Sequence, residues 1–236
     1  MTMYGLLIGI GIVISLELLQ RRYNLFSYID ILFISLSALI GARALFLLHN
    51  IEEISKGTIQ ILDIRDGGLA FYGGLLGILI SLFIISKIKK VHILNLTDKL
   101  FVFLPLMQSI GRLGNYFNNE LYGKPSTLPW SIYIPLENRL HGYEQYTNFH
   151  PVFIYESILN FLLFLFLYVY TKKEKRIGIP TGIYLIGYSI IRICMNRLRI
   201  DKEYFLGIET SDLFSIIFFI VGIMLITNIQ IISRKK

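Results

Sequence analysis

The chain has 236 residues, of which 54% are hydrophobic and only 17% charged, and its mean hydropathy is +0.61. Soluble domains carry about 25% charged residues, so the composition excludes an ordinary soluble globular protein and points to an integral membrane protein. The net charge of +7 would suit nucleic acid only if it were clustered for that purpose, and the single cysteine, Cys194, leaves neither a disulfide framework nor a cysteine metal site.

Seven apolar segments can be marked along the chain, each near the ~20 residues a helix needs to cross hydrocarbon. The first, 4–20, has no basic residue before it and Arg21 and Arg22 after it. That is the reverse of a signal peptide, so a retained first span with its amino end outside is expected. The second, 30–49, contains Arg43. The third, 68–86, opens in Gly67-Gly68-Leu69-Ala70-Phe71-Tyr72-Gly73-Gly74. The fourth, 98–116, has a short apolar part, Leu100 to Ile110, and closes in a run of polar residues. A loop at 117–149 follows, rich in Asn, Pro and Tyr and holding the sole Trp130; it reads as an irregular extracytoplasmic platform between spans four and five. The fifth span, 150–170, begins with His150 and Pro151; the sixth, 178–196, carries Pro180 and Arg192; the seventh is 212–232. These runs do not alternate, so they are helical. The expected fold is an all-α membrane protein of about seven transmembrane helices, forming one polytopic domain over 1–236.

Lysine and arginine set the orientation. With the amino end outside, the inner loops hold Arg21, Arg22, Lys87, Lys89, Lys90, Lys99, Lys172, Lys173, Lys175, Arg176, Arg234, Lys235 and Lys236. The outer segments hold only Lys56, Arg65, Lys124, Arg139, Arg197, Arg199 and Lys202. The bias supports a cytoplasmic carboxyl end, and it accounts for the basic charge without nucleic acid. Glycines spaced small-xxx-small, Gly5 with Gly9 and Gly73 with Gly77, are expected to let helices approach closely.

In this topology Tyr4, Arg43, Tyr72, Arg112, Asn115, His150, Glu156 and Arg192 come from six spans and lie at one depth. Ionisable groups inside a membrane are costly and mark function by default. Several arginines at one level repel unless an anion neutralises them, and the planar guanidinium fork suits a phosphate. A phospholipid headgroup is the abundant anion at that depth. Asn115 shares a helix face with Arg112, and Glu120 can orient an arginine or hold a hydroxyl. Plainer roles compete. Arg43 and Glu156 read equally well as structural ion pairs, Arg192 as snorkelling to the interface, and Tyr4 and Tyr72 as belt tyrosines. His150 before Pro151 suits the start of a helix, and Cys194 a small buried apolar residue. The four histidines lack zinc-ligand spacing, so no metal is expected.

The run Gly111-Arg112-Leu113-Gly114-Asn115-Tyr116-Phe117-Asn118-Asn119-Glu120-Leu121-Tyr122-Gly123 resembles the signature of the prolipoprotein diacylglyceryl transferase family. Further pieces occur in the family's order: Tyr4-Gly5, Gly41-Ala42-Arg43, the Gly67–Gly74 motif, His150-Pro151 with Tyr155-Glu156, and Arg192 with Arg199 and Asp201. Two departures stand out. Tyr72 occupies a position where the family usually has histidine, and Asn196 one where an acidic residue usually follows the sixth-span arginine.

The resemblance implies transfer of a diacylglyceryl group from phosphatidylglycerol to the lipobox cysteine of preprolipoproteins in the bacterial cell membrane, with the site facing outwards and no cofactor. It implies that Arg112 and Arg192 bind the lipid phosphate and that Tyr72, or else His150, assists thiol deprotonation. Tyr4, Arg43, Asn115, Asn118, Glu120, Gly123 and His150 are implied to line the substrate site. A non-catalytic or altered-specificity paralogue, prompted by Tyr72 and Asn196, and an anion- or lipid-binding transporter are the alternatives; the chain shows no repeat of the kind transporters carry.

Overall fold

A computed structural model describes residues 3–55, 57, 60–61, 68, 70–173, 176–202, 204–205 and 208–234. Its long helices are α1 (Met3–Tyr23), α2 (Tyr28–His49), α4 (Phe71–Lys89), α5 (Ile93–Asn118), α6 (Val152–Tyr170), α7 (Ile179–Asn196) and α8 (Thr210–Arg234), with a short α3 at Ile51–Ser55. Six of them are long and apolar enough to cross a membrane, and α7 is the most two-faced of the seven. The chain is an all-α multi-pass membrane protein. Gly67 and Leu69 of the third-span motif lie outside the described residues.

The chain divides into two compact units, Gln20–Thr97 and Met1–Leu19 with Asp98–Lys236. In the first unit, α2 starts at a capping box: Ser27 Oγ accepts from the Asp30 N–H at 3.2 Å, and Asp30 accepts from the Ser27 N–H at 2.6 Å. Lys89 at the far end of α4 pairs with Asp30 at 2.5 Å and donates to the Leu25 carbonyl at 2.7 Å. Along their length α2 and α4 meet backbone to backbone. A Cβ on Gly41 would run into the Gly73 carbonyl oxygen, and one on Gly77 into that of Ser37. Gly73 and Gly77 thus pack as their spacing predicts. Gly9 does not: a Cβ there would meet nothing within 4 Å.

In the second unit α5, α6, α7 and α8 build a core with polar seams. Phe103 packs at a tilt against Phe164 and edge-on against Tyr168, and Phe101 at a tilt against Tyr184. Ser109 and Ser157 lie 3.1 Å apart, and Gln108 donates to the Tyr184 hydroxyl at 3.0 Å. Asp98 accepts from the Gly178 N–H at 2.6 Å, the Thr181 N–H at 3.0 Å and the Thr181 hydroxyl at 2.6 Å. It caps α7 from another helix, because Gly178 before Ile179-Pro180 has no capping side chain of its own. Gly182 and Gly222 bring α7 and α8 together: a Cβ on either would press on the other's carbonyl oxygen, at 3.0 and 2.8 Å.

The 117–149 segment is more ordered than an irregular platform. Strands β1 (Ile132–Tyr133) and β2 (Asn148–Phe149) pair antiparallel, with Ile132 opposite Phe149, and Pro125 bridges to Phe149. Tyr122, Ile134 and Phe149 form its small buried core. A second hairpin joins Tyr204–Phe205 to Ile208–Glu209 before α8. Cys194, expected to be buried, is instead exposed on α7, beside Ile190, Ile193, Ile216 and Phe219. As a small thiol with weak hydrogen-bonding demands, it fits an apolar helix face as readily as a core.

Candidate active site

One end of the second unit gathers the carboxyl ends of α5 and α7 and the amino ends of α6 and α8. Glu156, in the second turn of α6, is the focus. Its carboxylate is 3% exposed and meets Arg112 Nε at 2.5 Å and Arg192 Nη1 at 2.9 Å. Arg199 Nη1 approaches the same carboxylate at 3.7 Å. Arg199 is itself only 6% exposed, and it pairs with Asp201. Three arginines share the Glu156 and Asp201 carboxylates where α5, α6 and α7 meet. Burying such a cluster is costly unless its members are paired and hydrogen-bonded.

Arg112 sits near the end of α5, six residues before Asn118 closes it. The described contacts of Arg112 use only its Nε. Arg192 uses two groups: Nη1 on Glu156, and Nε on the Ser211 hydroxyl at 2.5 Å. Among the described contacts, both Nη atoms of Arg112 and Nη2 of Arg192 are not used.

Past Arg112 the helix yields to a tight polar turn. The Glu120 N–H donates to the Asn115 carbonyl at 3.2 Å, with Asn119 and Leu121 in left-handed conformations at φ 51° and 57°. The turn folds Glu120 back so that its Oε1 accepts from Asn115 Nδ2 at 2.9 Å and Asn118 Nδ2 at 3.1 Å. Asn115 is 2% exposed, whereas Asn118 is exposed. Tyr4 reaches the same region: its ring lies over Gly114, where a Cβ would come within 2.7 Å of Tyr4 Cδ2, and its phenol sits in the field of Glu120 and Arg112.

Gly123 ties the loop to two other segments. Its N–H donates to the His150 carbonyl at 2.8 Å, and it bridges to Arg199. The Lys124 N–H donates to the Leu198 carbonyl at 2.8 Å. A Cβ on Gly123 would meet Val152 Cγ2 at 2.5 Å and the Leu198 oxygen at 2.9 Å. Only glycine allows this three-way junction, which fixes the segment after Arg192 beside the one after Arg112. His150 Nδ1 lies 3.4 Å from the Tyr155 hydroxyl, and that hydroxyl accepts from Trp130 Nε1 at 2.7 Å.

Tyr4, Arg112, Asn115, Asn118, Glu120, Gly123, His150 and Arg192 therefore all belong to this unit. Arg43 and Tyr72 belong to the other. Arg43 donates to the carbonyls of Gln60, Ile61 and Gly68 at 2.6, 3.0 and 2.9 Å. Tyr72 stands in the first turn of α4, half-buried. From sequence Glu156 reads as either a structural ion pair or a group of the site, and the structure makes it the hub. Ser211 and Asp212 were missed altogether; only their position at the start of the last apolar run could have flagged them. Asn196 is buried and donates to Asp212 Oδ1 at 2.8 Å.

A family model described as prolipoprotein diacylglyceryl transferase matches residues 1–228. A relative from Fervidobacterium nodosum, named phosphatidylglycerol–prolipoprotein diacylglyceryl transferase, is 38% identical over 227 residues, covering 93% of this chain and 78% of the relative. A protein of the same name from Finegoldia magna is 37% identical over 229 residues, covering 94% and 88%. Another from Thermotoga maritima is 36% identical over 228 residues, covering 93% and 78%.

Proposed function

Because the chain belongs to the prolipoprotein diacylglyceryl transferase family, we propose that it moves the diacylglyceryl group of phosphatidylglycerol onto prolipoproteins. The acceptor is the thiol of the lipobox cysteine, and the reaction takes place at the extracytoplasmic side of the bacterial cell membrane. The observation that carries this reading is the convergence of Arg112 and Arg192 on Glu156, with guanidinium edges left over. A transporter that merely holds an anion would suit the arginines equally, but the family match over 1–228 favours the enzyme.

The acceptor thiol loses its proton and its sulfur attacks the glyceryl carbon that bears the phosphate. The new C–S bond forms as the C–O bond breaks, and glycerol-1-phosphate leaves with the electron pair. Charge concentrates on the departing phosphate ester, and a preorganised guanidinium pair in a dry site stabilises it where it develops. Arg112 and Arg192 fill that role, both held by Glu156, and Arg192 also by Ser211. Asn115, Asn118 and Glu120 form the polar edge suited to the headgroup glycerol, and Tyr4, Gly123 and His150 support the substrate site. The proton goes to Tyr72 or to His150. A free phenol with a pKa near ~10 is a weak base at neutral pH, so Tyr72 needs nearby positive charge to serve.

The test is release of glycerol phosphate from phosphatidylglycerol by the detergent-solubilised chain. The expected result is release only when a lipobox peptide containing cysteine is supplied. Equal release with a serine-for-cysteine peptide, or none with either, overturns the reading.

A further inference from the structure

The last turn of α7 and the first turn of α8 are clamped by two side-chain hydrogen bonds running in the same direction. Arg192 Nε donates to Ser211 Oγ at 2.5 Å, and Asn196 Nδ2 donates to Asp212 Oδ1 at 2.8 Å. The two donors stand four residues apart, on one face of α7. The two acceptors are consecutive on α8. Asn196 is 2% exposed and neutral, so the clamp's one negative charge is the Asp212 carboxylate. Its place in the first turn of α8 favours an anion there. The clamp has a clear consequence for Arg192: with Nε taken by Ser211, the guanidinium plane is fixed and Nη1 reaches Glu156 at 2.9 Å.

We propose that Asp212 is a positioning residue for Arg192, anchoring the α7–α8 corner through Asn196 and placing a carboxylate one residue from the oxygen that holds the guanidinium. The corner needs one carboxylate and one amide, and either helix can supply either. A neutral pair lacks the charge-assisted bond. A pair of carboxylates repels across a hydrogen-bond distance.

This proposal rests on the transferase reading, and a double-mutant cycle tests it. Asp212→Asn and Asn196→Asp, each nearly isosteric, are each expected to lower kcat about tenfold, within the range measured for directly contacting pairs. The exchanged double variant, Asn196→Asp with Asp212→Asn, is expected to return to within about threefold of the native rate. A merely space-filling role would not produce rescue by exchange. Asp212→Asn at the native rate overturns the proposal, as does a double variant no faster than the slower single. If Asp212→Asn does not accumulate in membranes, Asp212→Glu decides instead: native-like turnover supports the proposal, and loss of turnover overturns it. Melting temperatures of the same four proteins report the coupling without catalysis, so a native chain that transfers nothing refutes the transferase reading while the cycle still decides the clamp.

Discussion

Glu156 Oε2 lies 2.5 Å from Arg112 Nε although the two residues belong to different helices, and the carboxylate is almost wholly buried. A buried carboxylate shared by arginines does two things. It neutralises part of their charge, which keeps the unit folded, and it fixes where their remaining N–H groups point. Both roles are open to measurement.

Glu156→Ala takes from Arg112, Arg192 and Arg199 the carboxylate they share. Breaking one side of a buried pair costs about 3–5 kcal/mol. The expected outcome is a large drop in melting temperature in detergent together with loss of transfer. Glu156→Gln keeps the shape and loses the charge, and is expected to retain more stability than the alanine variant while still transferring slowly. Equal melting temperatures for native and alanine proteins would count against the hub.

Arg192→Lys keeps the charge but cannot donate to Ser211 and Glu156 in one plane. Loss of one preorganised donor to developing charge costs about 10²–10³ in kcat. The measurement is kcat for the lipid substrate at saturating peptide. A lysine enzyme within a few-fold of native would mean that charge alone suffices.

Gly41→Ala is expected to weaken the α2–α4 pair, because its Cβ runs into the Gly73 carbonyl oxygen. Overpacking of this kind costs about 1–3 kcal/mol. Gly9→Ala, with nothing within 4 Å, is the matched control. Melting curves of the two variants should separate, with the Gly9 variant close to native.

Tyr122 gives the loop an alkaline limit. Its hydroxyl donates to the Asn138 carbonyl at 2.9 Å and accepts from the Leu140 N–H at 2.7 Å, and burial raises its pKa above the ordinary phenol value. A group whose native pKa is raised lends stability that is fully present below the unfolded value of about 10 and is lost as pH rises through the native value. Limited proteolysis within 117–149 should therefore accelerate above about pH 10. Tyr122→Phe leaves the Leu140 N–H unpaired, costing about 1–3 kcal/mol, and its cleavage should be faster at neutral pH and flatter towards alkali.

Much of the helical architecture was readable because a bilayer demands length and apolarity together. Segment 178–196 became α7 with its end at Asn196, and 30–49 became α2 with its end at His49. The segment marked 98–116 became a helix from Ile93 to Asn118, longer at both ends, because polar residues such as Asn95, Asp98 and Asn115 find partners or satisfied backbone within it. The β1–β2 pair was not readable: two-residue strands carry no periodicity, and this pair depends on Phe149 burying beside Tyr122 and Ile134. At the site, arginines stood out because charge in an apolar run is conspicuous. Glu156 was legible as a charge but not as a hub, since nothing local says how many arginines will meet it. Ser211 and Asp212 were invisible, because their partners lie 19 and 16 residues upstream across a turn.

Gly123→Ala tests the junction between the loop and the site. Its Cβ would meet Val152, Leu198 and His150 within 3.1 Å. The expected result is normal membrane insertion with transfer reduced at least tenfold, on the scale of a misplaced catalytic group. Native transfer by this variant would show that the junction tolerates displacement.

The most direct measurement is glycerol phosphate release by Arg112→Ala, run beside the native chain in the same detergent with phosphatidylglycerol and a cysteine lipobox peptide. Release at the enzyme-free background, from protein that still melts cooperatively, is the predicted result. Release at the native rate would contradict the assignment of the lipid phosphate to Arg112 and Arg192.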